Sequence, residues 1–303
     1  MNLPSVSIII PTYKRPEFLL RALDSVLGQD YQNIKEIIIT DDGDYEESFI
    51  EKLKAEDSRI IYVKNTKYAK GPSGNKQNGL DIASGDFIAF MDDDDELFND
   101  AVSSVMKVLI TGSYKIAFAN CVRSDNGKFT GKHYDRDEEA SYWDFICGKY
   151  EGEYWGINSY EIMKKIRFKD EYGGAEGLAW LGLYKEENIK LKYIHKAVRK
   201  YYVHENQFSN TYEQNALRTF NSYEKYLELF GEDIIKTCPK KYSYICKIAS
   251  YFAFLSGNKQ KISYYAAKSF MSDKSFLSFI FYLFSICPLS FYVLKYYFRF
   301  RKK

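Results

Sequence analysis

Short apolar runs separated by amphipathic stretches fill the first hundred residues. VSIII (residues 6–10) is a β-branched run ended by Pro11, and it predicts a buried strand of a parallel sheet. EFLLRALDSVL (17–27) spaces its apolar residues at helical intervals, and EIIIT (36–40) predicts a second buried strand. A helix over 48–55, the strand IIYV (60–63), a helix over 75–83 and the strand DFIAFM (86–91) continue the alternation. Repetition of strand, helix, strand predicts the α/β class: a doubly wound, mostly parallel sheet flanked by helices, with ligands beyond the carboxyl ends of the strands. Past residue 100 the pattern is mixed. It predicts a strand at KIAFANCV (115–122), a polar segment over 123–160 without a readable motif, and a helix over 175–187. Strands follow at IKLKYI (189–194) and VRKYYVH (198–204). From Tyr212 the chain reads as helical and aromatic, which divides it into a first domain, 1–211, and a helical C-terminal extension, 212–303.

Charge and cysteine usage narrow the classes. A formal net charge of +2 over 303 residues gives no global attraction for nucleic acid, and the first two thirds hold no long basic stretch interleaved with aromatics. Five cysteines (Cys121, Cys147, Cys238, Cys246, Cys287) stand at unrelated spacings with no C-x-x-C pair, so reduced thiols in a cytosolic protein are expected. The opening MNLPSVSIIIPTYKRP has too short an apolar stretch and no preceding basic region for a signal peptide. Residues 275–294 carry no charge and run into KYYFRFRKK. The stretch is just long enough to cross a bilayer, yet Pro288, recurrent serines, tyrosines and terminal cations fit an anchor lying in the plane of an anionic membrane surface. Peripheral attachment to the inner face of the cell membrane is the expectation, with spanning and soluble packing as alternatives.

Three of the predicted strands end in conspicuously polar residues: PTYKR, DDGD and DDDDE. The third places Asp92, Asp93, Asp94 and Asp95 directly behind FIAF, where mutual repulsion opposes ionisation. A solvated acidic turn would explain such a run. Carboxylate oxygens at a strand end also suit Mg²⁺ or Mn²⁺.

VSIIIPTYKRPEFLLRALDSVLGQDYQNIKEIIITDDGD, followed by GPSGNKQNGLDIASGDFIAFMDDDDEL, closely resembles the amino-terminal half of the family 2 glycosyltransferases, which have the GT-A fold. The likeness is strong over residues 4–100 and weaker to about 210. It implies a nucleotide-sugar donor, UDP-linked, lying across the carboxyl ends of the first strands. Tyr13 would rest near the base with Pro11 and Arg15 lining the same pocket, and Asp42 would accept a hydrogen bond from the uracil imide. The four aspartates then match the family's D-x-D motif. Asp92 and Asp93 would serve the nucleotide-sugar, with Asp93 near the ribose, and Asp94 would bind the divalent cation. Lys76 and Gln77 replace an Arg-Asn pair that is common in the family. Lys76 keeps the charge and would meet a phosphate as a point cation, across the sugar from the base.

The same resemblance places a general base in an acidic motif opening a helix after a Gly-rich turn. YGGAEGLAW (172–180) keeps Glu176 and has Gly177 where the family has aspartate. A glutamate favoured by the helix dipole is the other explanation for Glu176. His204, with Ser209 downstream, falls where the family often sets a histidine near the metal, so His204 joins Asp94 as a candidate ligand; His133 and His195 have no such support. The expected activity is metal-dependent, inverting transfer of a sugar to a hydroxyl of a glycan or polyprenyl-linked glycan in bacterial surface polysaccharide synthesis. A nucleotidyltransferase of related fold and a non-catalytic glycan-binding scaffold remain as rivals.

Overall fold

The computed structural model describes residues 3–112, 114–169, 175–203 and 215–286. The chain divides into two compact units, Met1–Phe145 with Lys149–His204, and Ile146–Gly148 with Glu205–Lys303.

The first unit begins with β1 (Val6–Thr12), α1 (Pro16–Leu27), β2 (Ile34–Asp41), α2 (Glu47–Glu56), β3 (Ile60–Lys64), α3 (Pro72–Leu80) and β4 (Phe87–Phe90). It continues through β5 (Glu96–Leu97), α4 (Ala101–Thr111), β6 (Ile116–Arg123), β7 (Glu138–Ala140), α5 (Tyr142–Ile146) and β8 (Tyr154–Ser159). The last elements are α6 (Tyr160–Met163), α7 (Gly177–Glu187) and β9 (Leu191–Tyr201). Among the described residues these strands form one sheet in the order β3-β2-β1-β4-β8-β6-β9-β5, with β7 also paired to β9. The β3-β2-β1-β4 half is parallel, as the strand, helix, strand alternation predicts. Strands β1 and β2 are buried on both faces; Ile8, Ile10, Ile37 and Ile39 pack into the core with Leu19, Leu23 and Val26 of α1.

Three expectations are corrected here. β1 does not stop at Pro11 but runs to Thr12, with Pro11 opposite Thr40 of β2. Pairing with β4 ends at Ile9, whose carbonyl accepts from Met91 N, so the edge on which Pro11 lacks its N–H has no ladder left to break. The two strands expected over 189–204 are one strand, β9, whose pairing to β6 shifts register around Asn120. The shift lets a single long strand serve β6 on one side and β5 and β7 on the other. Residues 123–160 are not a featureless segment: β8 returns through them to lie antiparallel between β4 and β6. A six-residue strand whose fully buried positions include Trp155 and Ile157 leaves too short an alternation to be read among so many tyrosines and glycines.

The second unit holds α8 (Ala216–Thr237), α9 (Pro239–Leu255), α10 (Lys259–Asp273) and α11 (Phe276–Ile286), in agreement with the helical reading past residue 212. Phe220, Phe230, Ile234, Ile245, Cys246 and Tyr265 are buried within it. The Asp273 carboxylate accepts from Ser243 of α9 at 2.7 Å and from Ser278 of α11 at 2.9 Å, joining three helices at one polar node. Cys147 and Cys238 are disulfide-bonded across 91 residues, which departs from the reading of the cysteines as free thiols; Cys121 and Cys246 are free and buried. Sequence spacing carries no information on which sulfurs meet in space. In α11, Ser278, Phe281 and Ser285 face inward, while Phe276, Leu277, Leu283 and Ile286 are exposed. No helix of the described residues is long and apolar enough to cross a membrane. Residues 287–303, including Cys287 and the basic tail, lie outside the described residues.

Candidate active site

The carboxyl ends of β1, β2 and β4 meet around the start of α3. Asn75 of α3 accepts from Thr40 Oγ1 at 2.7 Å and donates to the Thr12 carbonyl at 3.0 Å, so one amide ties the ends of β1 and β2. Asn78 adds a bond to Thr40 Oγ1 at 2.9 Å. The helix lies very close to the sheet because it has no side chain at Gly79. A Cβ there would stand 2.5 Å from Ile9 Cγ2. With Asn75 and Gly79 fixed against the strands, Lys76 is carried to the β4 side.

The turn after β4 distributes its four aspartates among three cations. Asp92 lies 3.3 Å from Lys76 Nζ and 3.1 Å from Arg199 Nη1. Asp93 is almost fully buried, accepts from Thr12 Oγ1 at 2.7 Å, and is ion-paired with Arg15. Asp94 accepts from the same guanidinium at 2.9 Å, and its backbone carbonyl accepts from Arg21. Asp95, also buried, takes the Tyr202 N–H at 2.9 Å and sits 3.2 Å from Arg199 Nη1. Glu176 immediately precedes α7, and its carboxylate accepts from Lys76 Nζ at 2.6 Å.

Burial and pairing pull these carboxylates in different directions. Lys76 holds Asp92 down to about 2 against the opposing effect of burial, with Arg199 assisting. Burial pushes Asp93 up to about 7, an effect only partly countered by Arg15 and Thr12. Asp95 is likewise pushed up to about 7 by burial, with Arg199 opposing. Burial also raises Glu176, and Lys76 offsets part of that rise. For Lys76 itself, burial acts to lower the ammonium, but Asp92 and Glu176 outweigh it and the net shift is upward.

The residues singled out from sequence are thus gathered, with distinct environments. Tyr13 is about half exposed, with the Lys14 ammonium 5.5 Å from its ring centre. Pro11 lies in the buried end of β1. Asp42 is buried, and its two oxygens accept from Asn65 Nδ2 and from Gly71 N, each at 2.7 Å. Arg15 lies on Asp93 and Asp94. Lys76 and Glu176, expected on opposite sides of the sugar, are directly paired here, as opposite charges withdrawn from water are. His204 and Ser209 lie outside the described residues, as do Asp170, Glu171 and the Gly173–Gly174 turn before Glu176.

Arg199, Thr12 and Asn75 were not found by motif. The one available signal for Arg199 was its place beside Val198 in a strand pattern, since an arginine directed into a sheet core requires buried acidic partners. Nothing in the sequence near Asp92 points to a partner 107 residues away.

A family model for Glycosyl transferase family 2 matches residues 7–174. The chain belongs to that family. This family 2 glycosyltransferase is 36% identical over 267 residues to the GalNAc(5)-diNAcBac-PP-undecaprenol beta-1,3-glucosyltransferase of Campylobacter jejuni subsp. jejuni serotype O:2, spanning 84% of this chain and 85% of the relative. It is 37% identical over 115 residues to the Escherichia coli UDP-Glc:alpha-D-GlcNAc-diphosphoundecaprenol beta-1,3-glucosyltransferase WfaP, spanning 38% of this chain and 45% of the relative. S. aureus TarS 1–349, solved in complex with UDP-GlcNAc, superposes with a TM-score of 0.58 at 14% identity, covering 88% of this chain and 73% of TarS. The enzyme therefore has the GT-A fold with a C-terminal helical region.

Members of the family typically depend on a divalent cation. Among the described residues no group of three carboxylates, imidazoles or thiols converges as a ready cage. The charges nevertheless fit a cation. Four aspartates and Glu176 face Arg15, Lys76 and Arg199, with Arg21 on the Asp94 carbonyl, which leaves one formal negative charge before the exposed Glu153 is counted. A metal held by one or two carboxylates and substrate phosphates is the usual arrangement for Mg²⁺.

Proposed function

We propose that this glycosyltransferase transfers a hexose, with inversion, from a UDP-linked donor to a hydroxyl of a glycan carried on a polyprenyl diphosphate. The observation that carries the reading is the chain of contacts from the acidic turn to α7. Asp92 meets Lys76 at 3.3 Å and Lys76 meets Glu176 at 2.6 Å, a direct link between the donor-binding candidates and the candidate base. The acceptors named for the Campylobacter jejuni and Escherichia coli relatives, both sugars on undecaprenyl carriers, support the acceptor class.

In this reading Tyr13, Pro11 and Arg15 line the base pocket and Asp42 recognises uracil. Asp92, Asp93 and Lys76 serve the ribosyl diphosphate end of the donor. Glu176 takes the proton of the acceptor hydroxyl, the acceptor oxygen bonds to the anomeric carbon, and the bond from that carbon to the diphosphate oxygen breaks with its electron pair leaving on UDP. Asp94 would hold Mn²⁺ or Mg²⁺, with His204 as the candidate second ligand; when bound, the ion would neutralise charge developing on the departing diphosphate. Residues 1–211 are the catalytic domain and 212–303 an extension. The exposed apolar face of α11 and the cations Lys295, Arg299, Arg301, Lys302 and Lys303 beyond it support peripheral attachment to the inner face of the cell membrane, where a lipid-linked acceptor is presented.

The deciding experiment incubates the full chain with a panel of UDP-sugars, Mn²⁺ and a synthetic polyprenyl diphosphate glycan, and follows UDP release and product mass. Lipid-linked product from one donor is the expected result. UDP-sugar turnover with equal use of lipid-free glycans would remove the acceptor assignment, and failure of every UDP-sugar would remove the donor assignment.

A further inference from the structure

Lys76 is the only described cation that touches both the acidic turn and the carboxylate before α7, and it is shared between them: 3.3 Å to Asp92 Oδ1 and 2.6 Å to Glu176 Oε2. Its side chain is 13% exposed and that of Glu176 18%, so the pair is largely withdrawn from water. Lys76 is presented by a helix that cannot drift, because Asn75 and Asn78 are bonded to the strand ends and Gly79 is packed on Ile9. Its ammonium has three donors and no directional fork. The Glu176 carboxylate has no other hydrogen-bond partner among the described residues.

We propose that Glu176 acts as an internal stand-in for the donor's diphosphate: it holds Lys76 when the donor is absent, and the incoming diphosphate takes Lys76 from it. This deepens the functional reading above and rests on it, since it requires the pocket to receive a nucleoside diphosphate. One ammonium cannot fully serve a diphosphate and a carboxylate at once. A diphosphate brings more negative charge and more acceptor oxygens than Glu176 does, so the exchange runs toward the donor. Two properties follow. Before donor binding, Glu176 is neutralised by its partner and is a poor proton acceptor; after it, Glu176 is released beside the sugar as an unpaired carboxylate. The order of events is therefore built into the site: the donor binds first, and the base becomes competent only once a sugar is in place to receive the acceptor oxygen.

The test needs binding alone and no acceptor. Calorimetry with UDP and Mn²⁺, and separately with uridine, compares the full-length wild type with Glu176→Gln, Lys76→Met and the double variant. Removing the charge that competes for Lys76 is expected to tighten UDP by roughly threefold to tenfold, the range of a charge-assisted hydrogen bond weakened to a neutral one. Uridine, which lacks the diphosphate, should bind wild type and Glu176→Gln alike. In the Lys76→Met background Glu176→Gln should no longer tighten UDP. If Lys76→Met does not fold, Lys76→Gln carries that arm. Equal or weaker UDP binding by Glu176→Gln overturns the exchange while leaving the donor reading intact. So does tightening that persists without Lys76 or that extends to uridine. A wild-type protein that binds no UDP overturns the donor reading and the exchange together.

Discussion

Arg15 Nη1 donates to Asp94 Oδ2 at 2.9 Å, so the carboxylate proposed to hold the cation is occupied by a guanidinium of the same chain. Arg15 is also ion-paired with buried Asp93, and its side chain is 43% exposed. Arg15→Ala should therefore raise the affinity for Mn²⁺ measured without nucleotide, by free-Mn²⁺ paramagnetic resonance, severalfold above wild type. Asp94→Asn should abolish Mn²⁺-dependent turnover with an unchanged circular dichroism spectrum, because an amide supplies no anionic oxygen. Unchanged metal dependence in Asp94→Asn would move the ligand elsewhere in the turn.

Glu176 carries a second, catalytic expectation. Burial raises its pKa above the ordinary 4.5, while Lys76 pulls against that rise. A base works only when unprotonated, so transfer should decline on the acid side through a limb centred above the ordinary glutamate value, and Glu176→Gln should lack that limb. The same variant should lose roughly 10²-fold or more in acceptor transfer. Full activity at every pH would refute the role and turn attention to Asp170 and Glu171.

Arg199 is 3% exposed and lies within 3.2 Å of both Asp92 and Asp95. Arg199→Met leaves buried Asp95 without a cation and Asp92, whose side chain is 40% exposed, with Lys76 alone; breaking the buried Arg199–Asp95 pair costs about 3–5 kcal/mol. Urea denaturation should show that loss, and Arg199→Lys should recover only part of it, since a point charge cannot span both acids. A loss below about 1 kcal/mol would mean that the carboxylates simply take up protons instead.

The glycines of α3 and α7 offer an internal contrast. A Cβ on Gly79 would meet Ile9 Cγ2 at 2.5 Å and Thr40 Cγ2 at 3.1 Å, whereas one on Gly182 would meet nothing within 4 Å. Gly182→Ala should stabilise by about 0.5–1 kcal/mol through helix propensity. Gly79→Ala should destabilise, because overpacking costs about 1–3 kcal/mol and outweighs the same helical gain. Equal thermal shifts for the two would show that α3 can lift from the sheet.

The outer face of α11 should bind anionic membranes without being needed for the fold. Phe276→Ser, Leu283→Ser and Ile286→Ser together should reduce sedimentation with phosphatidylglycerol vesicles while leaving UDP binding intact. Substitution is a cleaner probe than truncation before Ser275, since Ser278 and Phe281 are packed inside the helical unit. Undiminished vesicle binding would move the anchor to the basic tail alone.

The parallel half of the sheet was legible because its strands are β-branched runs bounded by polar turns, and residues from β1 through β4 fell within a few positions of their expected elements. The candidate site residues that carry a motif, from Tyr13 to Asp94, lie in the same stretch. What escaped was long-range pairing. β8 enters the sheet between β4 and β6, and Arg199 meets Asp92 across 107 residues. Neither follows from local periodicity, because the partner that makes a short strand or an inward charge favourable is distant in the chain. The contact of Lys76 with Glu176, 100 residues apart, was missed for the same reason.

The position of Arg199 also has a consequence for synthesis. The nucleotide-facing strands emerge from the ribosome early, but the acidic turn waits for a counter-ion encoded 107 residues later, which at about 5–20 residues per second is a delay of roughly 5–20 s. During that interval Asp92 and Asp95 stand without their shared guanidinium, so the nascent first half cannot settle into its final form. A chain interrupted before β9 would have the candidate donor-site motifs from Tyr13 to Asp94 and no guanidinium to pair with Asp95.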